Sequence, residues 1–460
     1  MVKFNNIKKP EVVRTYEGGK AVKYSGDKDK LTMQVVNNMF GEPTFYPKSN
    51  SELVELIKKV GSKDPDFVLK LAKFTRNELH MRTISNFVIV VLTNECKHID
   101  GIRNKIADII ERPDDMTEMI ACQLKLYGKP IPAALKYGIS KGFTKFNTYQ
   151  LAKYKNDRSE VTLRDVMFLT HPKPKNTEMV EVYAKLAEQT LEAPETWEVI
   201  ISGGGSTYEN WKEIIPKMGH MAMLRNLNNF TKVGITPSEV EYKFTKESVI
   251  KGKQLPFRYF TAYDNASSEF RPIIQKCMDW SIENATEIKG KTAILVDVSG
   301  SMSWCSIAGK SSVTPRRIAS VLASMLYMKS NSIIVPFATT AGIYVPSEEK
   351  TMMDMVNKIE SLDYGGGTNV NAGLNIISNI EDIDNIIILS DMQMMNSNYI
   401  PIRKDVNVYS VDLCRYGTTI FGNAPNVYTI GGWSEKLIDF IALNESGHSM
   451  SKIIENYNPK

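Results

Sequence analysis

Apolar residues recur at helical spacing through residues 31–288. The i, i+3, i+4, i+7 pattern appears as Leu53, Leu56, Ile57 and Val60, and again as Met179, Val182, Tyr183 and Leu186. This period predicts amphipathic helices. Helix-start signals divide the region, at Asp64-Pro65, Arg112-Pro113-Asp114, Asn176-Thr177-Glu178, Ala193-Pro194-Glu195 and Thr236-Pro237-Ser238. Many short helices in series favour a stacked α-solenoid, with an irregular helical bundle as the alternative.

Near Gly290 the pattern changes to buried strands that alternate with amphipathic helices. Strands are predicted at Thr292–Val298, Ser332–Ala338, Ile386–Ser390 and Val406–Leu413. Helices are predicted to open at Pro315 and to cover 352–359, 370–378 and 435–443. This alternation predicts a mainly parallel sheet with helices on both faces, whose ligands bind at the carboxyl ends of the strands. The sequence therefore predicts a helical region at 1–288 and an α/β region at 289–460.

Composition narrows the class of protein. Of the 460 residues, 42% are hydrophobic and 24% are charged, as in an ordinary globular chain. No apolar run is long enough to cross a membrane, and no secretory signal is expected at the N-terminus. The five cysteines are widely spaced and no CxxC occurs. A zinc site or a disulfide framework is therefore not expected, and the cytoplasm is the expected compartment.

The charge of the chain is uneven. Residues 1–158 contain 28 Lys and Arg against 18 Asp and Glu, whereas residues 289–460 contain 14 against 16. A basic N-terminal portion beside a nearly neutral C-terminal one favours a polyanionic partner such as nucleic acid. The alternative is a lysine-rich surface that serves only solubility.

The stretch ILVDVSGSMS places polar residues directly after the first predicted strand of the α/β region. Asp297, Ser299 and Ser301 form a DxSxS pattern, Thr368 lies in YGGGTN before a helix, and Asp391 follows another buried strand. The carboxyl ends of parallel strands meet at one edge of a sheet, so these five residues are expected to converge. Hydroxyl and carboxylate oxygens suit Mg²⁺, Mn²⁺ or Ca²⁺ rather than zinc. The alternative is a polar loop whose hydroxyls cap the next helix.

These five residues resemble the metal-ion-dependent adhesion site of von Willebrand factor A domains. The resemblance implies that residues 289–460 have a Rossmann-like fold with a divalent cation, most naturally Mg²⁺, among the five side chains. It also implies that the cation accepts an acidic side chain of a protein partner, for which an exoribonuclease is one candidate. It does not imply catalysis. A haloacid dehalogenase would need a second Asp in place of Ser299, and the GxSxG of a serine hydrolase is not formed around Ser301.

A second resemblance lies in the helical region. Residues 112–174 include the segments LAKYKNDR and THPKP, and TWEVIISGGG, MAMLRNLNNF and LPFRYFTAY follow. These segments resemble the TROVE module of the Ro autoantigen family, in which the module precedes a von Willebrand A domain. The resemblance implies a monomeric ring of HEAT-like helices that binds small structured Y RNAs outside and single-stranded RNA 3′ ends in its hole. The family positions implicated in RNA contact match Lys153, Arg158 and His171.

The residue types of that segment are compatible with RNA contact. Cations can contact phosphates and aromatic rings can stack on unpaired bases. Both types alternate here, as Phe143, Lys145, Phe146, Tyr149, Lys153, Tyr154, Lys155 and Arg158. The alternative is that Phe146, Leu151 and Tyr154 are core and the lysines form a solvated face. Further candidate cations for the ring hole are Arg76, Arg82 and Arg225.

Together the patterns and the two resemblances predict a non-catalytic RNA-binding protein, with no catalytic residues. Its fold is predicted to be an α-solenoid ring followed by an α/β von Willebrand A-type domain. Two alternatives stay open. One is a metal-dependent protein-binding module with the helical region as its scaffold, and the other is a Mg²⁺-dependent phosphohydrolase or nuclease. The glycine-rich SGGGS at 202–206 lacks the Lys-Ser/Thr of a P-loop and is predicted to be a flexible loop.

Overall fold

The computed structural model describes residues 12–14, 20–23, 26–36, 51–96, 101, 103–155, 159–194, 196–304, 313–395, 400–414, 418–421, 426–431, 437–443 and 450–458. The chain divides into two units. The helical unit contains Gly26–Val199 with Met450–Lys460, and the mixed unit contains Met1–Ser25 with Ile200–Ser449. Each unit therefore includes one end of the chain, which the sequence did not predict.

The helical unit is built from short helices that pack on their neighbours in sequence. Their bounds are α1 (Asp27–Val36), α2 (Ser51–Gly61), α3 (Pro65–Asn77), α4 (Arg82–Glu95), α5 (Arg103–Ile106), α6 (Pro113–Leu126), α7 (Ala133–Phe143), α8 (Thr148–Lys153), α9 (Leu163–Thr170) and α10 (Thr177–Ala187), with a 3₁₀ turn at Ala107–Ile109. Helix α3 packs on α4, α4 on α6, and both α6 and α7 on α9. Successive packing of this kind agrees with the predicted helical stacking.

The predicted apolar stripes are the buried faces of these helices. All four stripe residues of α2 are buried, and so are the four of α10: Leu53, Leu56, Ile57, Val60, Met179, Val182, Tyr183 and Leu186. Four of the five predicted helix starts are confirmed, at Pro65, Pro113, Thr177 and Pro237, whereas the helix expected at Ala193-Pro194 begins later, at Trp197. The side chain of Asp64 accepts from the N–H of Phe67 (3.0 Å) at the start of α3, and Asn176 accepts from Met179 (2.9 Å) at the start of α10. Such caps satisfy N–H groups that have no partner within the helix.

A C-terminal helix that the sequence did not predict completes the helical unit. Met450–Asn456 packs on α1 and α3. The Lys28 ammonium lies 2.6 Å from the Glu455 carboxylate, and the Tyr457 hydroxyl donates to Glu78 (2.8 Å). The Tyr457 ring also meets the Phe74 ring edge-on at 5.2 Å. These contacts account for the grouping of residues 450–460 with 26–199.

In the mixed unit, further helices precede the sheet. They are α11 (Trp197–Gly204), which the division between the units crosses, α12 (Tyr208–Ile214), α13 (His220–Arg225), α14 (Leu227–Lys232), α15 (Pro237–Val240), α16 (Lys246–Gly252), α17 (Pro256–Asn265) and α18 (Arg271–Ser281). The prediction of a loop at SGGGS was wrong for residues 202–204, because they continue α11. The α18 residue Asp279 accepts from the N–H of Met352 (3.0 Å), and α17 offers Asp264 to Arg317 (3.0 Å). Residues 200–288 therefore pack directly on the α/β part of their own unit.

The sheet confirms the predicted switch to parallel strands. Strands β1 (Val12–Arg14) and β2 (Lys20–Lys23) precede β3 (Thr292–Asp297), β4 (Ser332–Phe337), β5 (Asn385–Ser390), β6 (Asn407–Asp412), β7 (Thr418–Thr419) and β8 (Val427–Gly431). The helices of this part are α19 (Ser301–Trp304), α20 (Pro315–Lys329), α21 (Met352–Ser361), α22 (Val370–Ser378) and α23 (Leu437–Leu443). The C-terminal helix Met450–Asn456 is therefore numbered α24. The four predicted strands are β3–β6, whereas β8 and the antiparallel β1–β2–β7 sheet were not predicted.

The strand order of the main sheet reverses at β3. The five parallel strands lie in the order β4-β3-β5-β6-β8. From β3 the chain passes through α20 to β4 on one side, and then through α21 and α22 to β5 on the other side. Open parallel sheets bind ligands where the strand order reverses in this way.

Among the described residues, no helix is long and apolar enough to cross a membrane.

Candidate nucleic-acid interface and strand-end site

Lys153 lies on the surface at the end of a firmly capped short helix. Asn147 caps α8 by accepting from the N–H of Gln150 (2.9 Å), and the Gln150 side chain accepts in return from the N–H of Asn147 (3.1 Å). Lys153 is the last residue of α8 and is exposed. Its ammonium lies 5.7 Å from the centre of the Tyr154 ring, and the Arg112 guanidinium lies 4.8 Å from the same ring. Two cations therefore flank one half-buried aromatic ring.

Two neighbouring lysines serve the fold instead. The Lys145 ammonium donates to the carbonyls of Ala107 (3.1 Å) and Ile110 (2.7 Å). The Lys155 ammonium donates to the carbonyl of Leu191 (2.8 Å). These bonds satisfy carbonyls at segment ends and hold both cations in place. Lys145 and Lys155 therefore differ from Lys153 in that each is bonded to the backbone of another segment.

The aromatic residues of the segment also divide into two groups. Phe146 and Leu151 are buried, so the core alternative is correct for these two, and Phe143 is buried as well. Tyr149 is 55% exposed and Tyr154 is half-buried. Arg158 lies outside the described residues, so its place at the interface stays a prediction.

His171 ends α9 in a left-handed conformation. Its φ and ψ are 50° and 57°, and its N–H donates to the carbonyl of Met167 (2.9 Å) as the C-terminal cap. The imidazole is exposed. Helix α9 has eight residues and is therefore about 12 Å long. The N–H of Leu163, its first residue, donates to the carbonyl of Lys155 (3.4 Å), so Lys153 lies near the start of the helix that His171 ends.

The three arginines proposed for a ring hole have different surroundings. Arg76 is buried and donates from Nε and Nη2 to Asp115 (3.3 and 2.9 Å), so its assignment as an RNA-facing cation was wrong. Arg82 pairs with the carboxylates of Asp114 and Glu118. Arg225 is exposed and lines an open cleft of about 410 Å³ together with Arg258, Leu224, Asn228 and Asn265.

The predicted oxygen ligands come together at the carboxyl end of β3. Asp297 ends β3, and its Oδ1 accepts from the N–H of Ser299 (2.9 Å). The hydroxyls of Ser299 and Ser301 lie 3.3 Å apart. Asp391 follows β5, the neighbour of β3, and receives a hydrogen bond from the Ser301 hydroxyl. We call Asp297, Ser299, Ser301, Thr368 and Asp391 the strand-end site.

Thr368 enters this site from the loop before α22. The loop is held by bonds from Gly300 N–H to the Gly366 carbonyl (3.4 Å) and from Met395 N–H to the Thr368 carbonyl (3.0 Å). Gly365 has φ +93°, and a Cβ there would lie 2.7 Å from the Thr339 hydroxyl oxygen, so the turn requires glycine. The Thr368 Oγ1 is buried and has no hydrogen-bond partner among the described residues.

The two carboxyl groups of the site are buried together. Burial raises the pKa of Asp297, and the nearby Asp391 carboxylate raises it further. Burial also raises the pKa of Asp391, against hydrogen bonds from the Gln393 N–H and the Ser301 hydroxyl. Two like charges in low dielectric disfavour each other's ionised form, and a bound cation would relieve both penalties.

The chemistry of the donors fits a hard divalent cation. The site offers two carboxylates and three hydroxyls, of which the buried Thr368 hydroxyl has no partner among the described residues. Within the described part of the chain, no group of three or more His, Cys, Asp and Glu residues could hold a metal ion. A metal here would therefore depend on hydroxyl oxygens, as the DxSxS and Thr368 pattern predicts.

Two residues near the site were not predicted. The Ser390 hydroxyl donates to Asp297 Oδ2 (2.5 Å) and accepts from the N–H of Met392 (3.0 Å). Its position directly before Asp391, in the sequence LSD, could have indicated that Ser390 lies at the site. Trp304 ends α19 with 89% of its surface exposed. Its place three residues after Ser301 could have marked it as a contact residue beside the site.

The family follows from the comparison of sequences. The TROVE domain profile matches residues 20–190 and 187–279. The chain belongs to the TROVE-domain family. It is 24% identical to telomerase protein component 1 of Rattus norvegicus and 23% identical to that of Mus musculus, each over 308 residues. Each match covers 47% of this chain but only 12% of the relative, so the chain spans a small part of those proteins.

A solved structure has the same fold. The crystal structure of the Ro (RSR) protein of Deinococcus radiodurans matches with a TM-score of 0.64 and 13% sequence identity. The match covers 90% of this chain and 98% of that one. At this identity the likeness shows a shared fold alone, and it extends across helical and α/β parts alike.

Proposed function

We propose that this TROVE-family protein is a non-catalytic RNA-binding protein. The observation that carries the proposal is the exposure of Lys153 and His171 near the two ends of α9, within the matched TROVE segment. The neighbouring Lys145 and Lys155 donate to carbonyls, so Lys153 stands apart as a cation at the surface. Small structured RNA of the Y type and single-stranded RNA ends are the ligands that the family resemblance favours.

The physical basis of the proposed binding is phosphate contact beside exposed rings. Lys153 offers positive charge beside Tyr154, whose ring also contacts the Arg112 guanidinium that pairs with Asp114 (2.8 Å), and the exposed imidazole of His171 can donate to phosphate oxygen. Unpaired RNA bases stack readily on aromatic side chains. The closed ring and the monomeric state remain predictions of the resemblance.

A salt titration with a hairpin RNA that carries a single-stranded tail tests the proposal. Binding dominated by phosphate contacts weakens by orders of magnitude between about 50 and about 200 mM salt when several phosphates are neutralised. We expect tight binding at the low end and a steep negative slope. Affinity at low salt no greater than that of a neutral control protein of similar size would overturn the proposal.

We further propose that the strand-end site holds a divalent cation, with Asp297, Asp391 and the three hydroxyl residues as its ligands or water-mediated ligands. The support is the pair of buried carboxyl groups and the unpartnered Thr368 oxygen. When bound, the cation would neutralise the carboxylates and offer a coordination position to an acidic side chain. The Arg316 guanidinium lies near Asp297 and donates to the Leu362 carbonyl.

A second candidate function is capture of a protein partner at the strand-end site. The exposed Trp304 ring favours it, since large exposed aromatic residues are enriched where proteins bind each other. An acidic side chain of the partner would bind the cation, and apolar groups of the partner would cover the Trp304 ring. Pull-down of a partner that depends on Mg²⁺ and on Trp304, and is lost in Asp297→Ala, would support this function. Capture that is unchanged in chelator and in Asp297→Ala would contradict it.

A further inference from the structure

Phe168 is an aromatic residue on the surface of α9. It is 50% exposed. Among the phenylalanines whose side chains the structure describes, it is the one with an exposed ring. Complete burial of such a side chain stabilises a fold by about 1.5–3 kcal/mol, and this position does not use that stabilisation.

We propose that Phe168 stacks on an unpaired RNA base, so that the interface prefers RNA with a bulged or single-stranded nucleotide. The inference rests on the proposed RNA-binding function and adds a specificity-determining residue to it. We call Lys153, Tyr154, Arg164, Phe168 and His171 the α9 surface.

The ring of Phe168 is supported on one side by a fixed cation. The Arg164 guanidinium carbon lies 5.1 Å from the ring centre, within the range of a cation–π contact. Arg164 precedes Phe168 by one helical turn, so the two side chains share a face of α9. The Arg164 Nε also donates to the carbonyl of Ala187 (2.7 Å), which fixes the guanidinium against the end of α10. A ring held in this way loses little freedom when a base stacks on it.

The charges around Phe168 favour RNA over a protein partner. His171, Lys173 and Lys175 follow the helix and are all exposed. The acidic residue of α9, Asp165, is engaged by the N–H (2.9 Å) and hydroxyl (2.7 Å) of Thr162. The neighbouring Met167 is buried, so the ring stands by itself on its helix rather than within an apolar patch. A single ring among cations suits a base with flanking phosphates better than it suits an apolar protein face.

The experiment compares two synthetic RNAs on the full chain. One is a hairpin with a single bulged purine, replaced by a fluorescent adenine analogue for the readout, and the other is the same stem fully paired. We expect Phe168→Ala to weaken binding of the bulged RNA by about ten-fold, the order of one stacked base. Binding of the paired stem should change by less than about two-fold, because phosphate contacts are retained. The analogue's fluorescence should be quenched by the wild type and not by the variant.

Three further variants make the test specific to the ring. Phe168→Tyr should keep the preference for the bulged RNA, whereas Phe168→Leu should lose it although it stays apolar. Tyr242→Ala is the matched control, since Tyr242 is 56% exposed and lies in the other unit. It should leave both affinities unchanged. Because Phe168 is on the surface, circular dichroism should show that all variants fold.

The outcomes separate this inference from the function on which it rests. If Phe168→Ala binds both RNAs as the wild type does while Lys153→Ala is weaker, stacking is wrong and RNA binding stands. Unchanged binding is also the result expected if a protein partner covers the ring. If the wild type binds neither RNA at low salt, the RNA-binding function fails and the stacking role fails with it.

Discussion

The α9 surface and the strand-end site carry charge in opposite surroundings. Lys153 and His171 are exposed, so the ammonium and the imidazole are accessible to a ligand from solvent. Asp297 and Asp391 are buried side by side, and burial raises the pKa of each. A polyanion can bind the α9 surface without any change in the fold, but its affinity falls as the salt concentration rises. At the strand-end site, the proposed cation would be less sensitive to salt, because salt screens buried charges weakly.

Within the helical unit, the partner of a basic side chain distinguishes a cation that holds the fold from one that is available to a ligand. Arg76 and Lys153 are both basic residues of the helical unit, yet Arg76 lies against Asp115 in the interior and Lys153 lies at the surface. Lys145 is an intermediate case, exposed along its side chain but bonded to two carbonyls at its tip. Each prediction below changes one ionisable side chain and distinguishes a role in stability from a role in ligand binding.

The largest expected effect is on folding, from Arg76→Met. Among the described residues, removal of the guanidinium leaves the buried Asp115 carboxylate with two backbone donors, Glu111 and Arg112 (2.9 Å each). We expect the free energy of unfolding to fall by about 3–5 kcal/mol, measured by urea denaturation. Arg82→Met, at a half-exposed ion pair, should cost about 1 kcal/mol or less. An Arg76→Met protein as stable as Arg82→Met would contradict the structural role of this pair.

The next effect is metal-dependent stabilisation of the mixed unit. At a hundred-fold excess over the dissociation constant, a bound cation stabilises by about 2.7 kcal/mol. We therefore expect Mg²⁺, Mn²⁺ or Ca²⁺ to raise the melting temperature of the wild type and not that of Asp297→Asn. The control is Asp405→Asn, whose side chain is 74% exposed, and it should keep the wild-type response. An equal rise in melting temperature in the wild type and in Asp297→Asn would contradict the proposal that the strand-end site binds the cation.

A smaller effect distinguishes two lysines of the same segment. Lys153→Ala should weaken binding of hairpin RNA by about ten-fold and reduce the salt slope by about 1, as expected for loss of one phosphate contact. Lys145→Met should leave RNA affinity unchanged and lower the free energy of unfolding by about 1–3 kcal/mol, since two carbonyls lose a charged donor. If the two variants exchanged these phenotypes, the assignment of Lys153 to the ligand and Lys145 to the fold would be reversed.

The smallest effect concerns a buried histidine. His220 lies in the mixed unit, with its ring nitrogens 3.0 Å from the Ser248 hydroxyl and 2.7 Å from the Tyr259 hydroxyl. Burial lowers the pKa of His220, so below pH about 6.5 the unfolded chain binds a proton that the folded chain resists. Stability should therefore fall as pH drops from about 6.5, by less than about 1.4 kcal/mol per pH unit. His220→Gln should flatten this part of the profile, and an identical profile in the variant would contradict the assignment.

The strand-end site could be predicted from the sequence because its geometry follows from topology. Asp297 and Asp391 each stand at the end of a strand, and parallel strands place such ends on one edge. The helical stripes could be predicted for a similar reason, since a period alone decides which face is buried. In both cases the local pattern contains the information that determines the structure.

The direction of a single cation could not be predicted in this way. Lys155 is held by the carbonyl of Leu191 and Arg76 by Asp115, and both partners are distant in sequence. Nothing in the local pattern of LAKYK distinguishes Lys153 from Lys155. The same holds for the chain ends, because β2 pairs with β7 and the C-terminal helix packs on α1 and α3 through contacts that only the complete fold creates.

The most direct test of RNA binding by the α9 surface is to locate the RNA on the protein. The full chain would be crosslinked by ultraviolet light to the bulged hairpin RNA, and the crosslinked peptides identified by mass spectrometry. We predict crosslinks within residues 148–175, including Tyr154 or Phe168, that disappear in the Lys153→Ala, His171→Ala double variant. Crosslinks confined to other segments, or unchanged in that variant, would contradict the account.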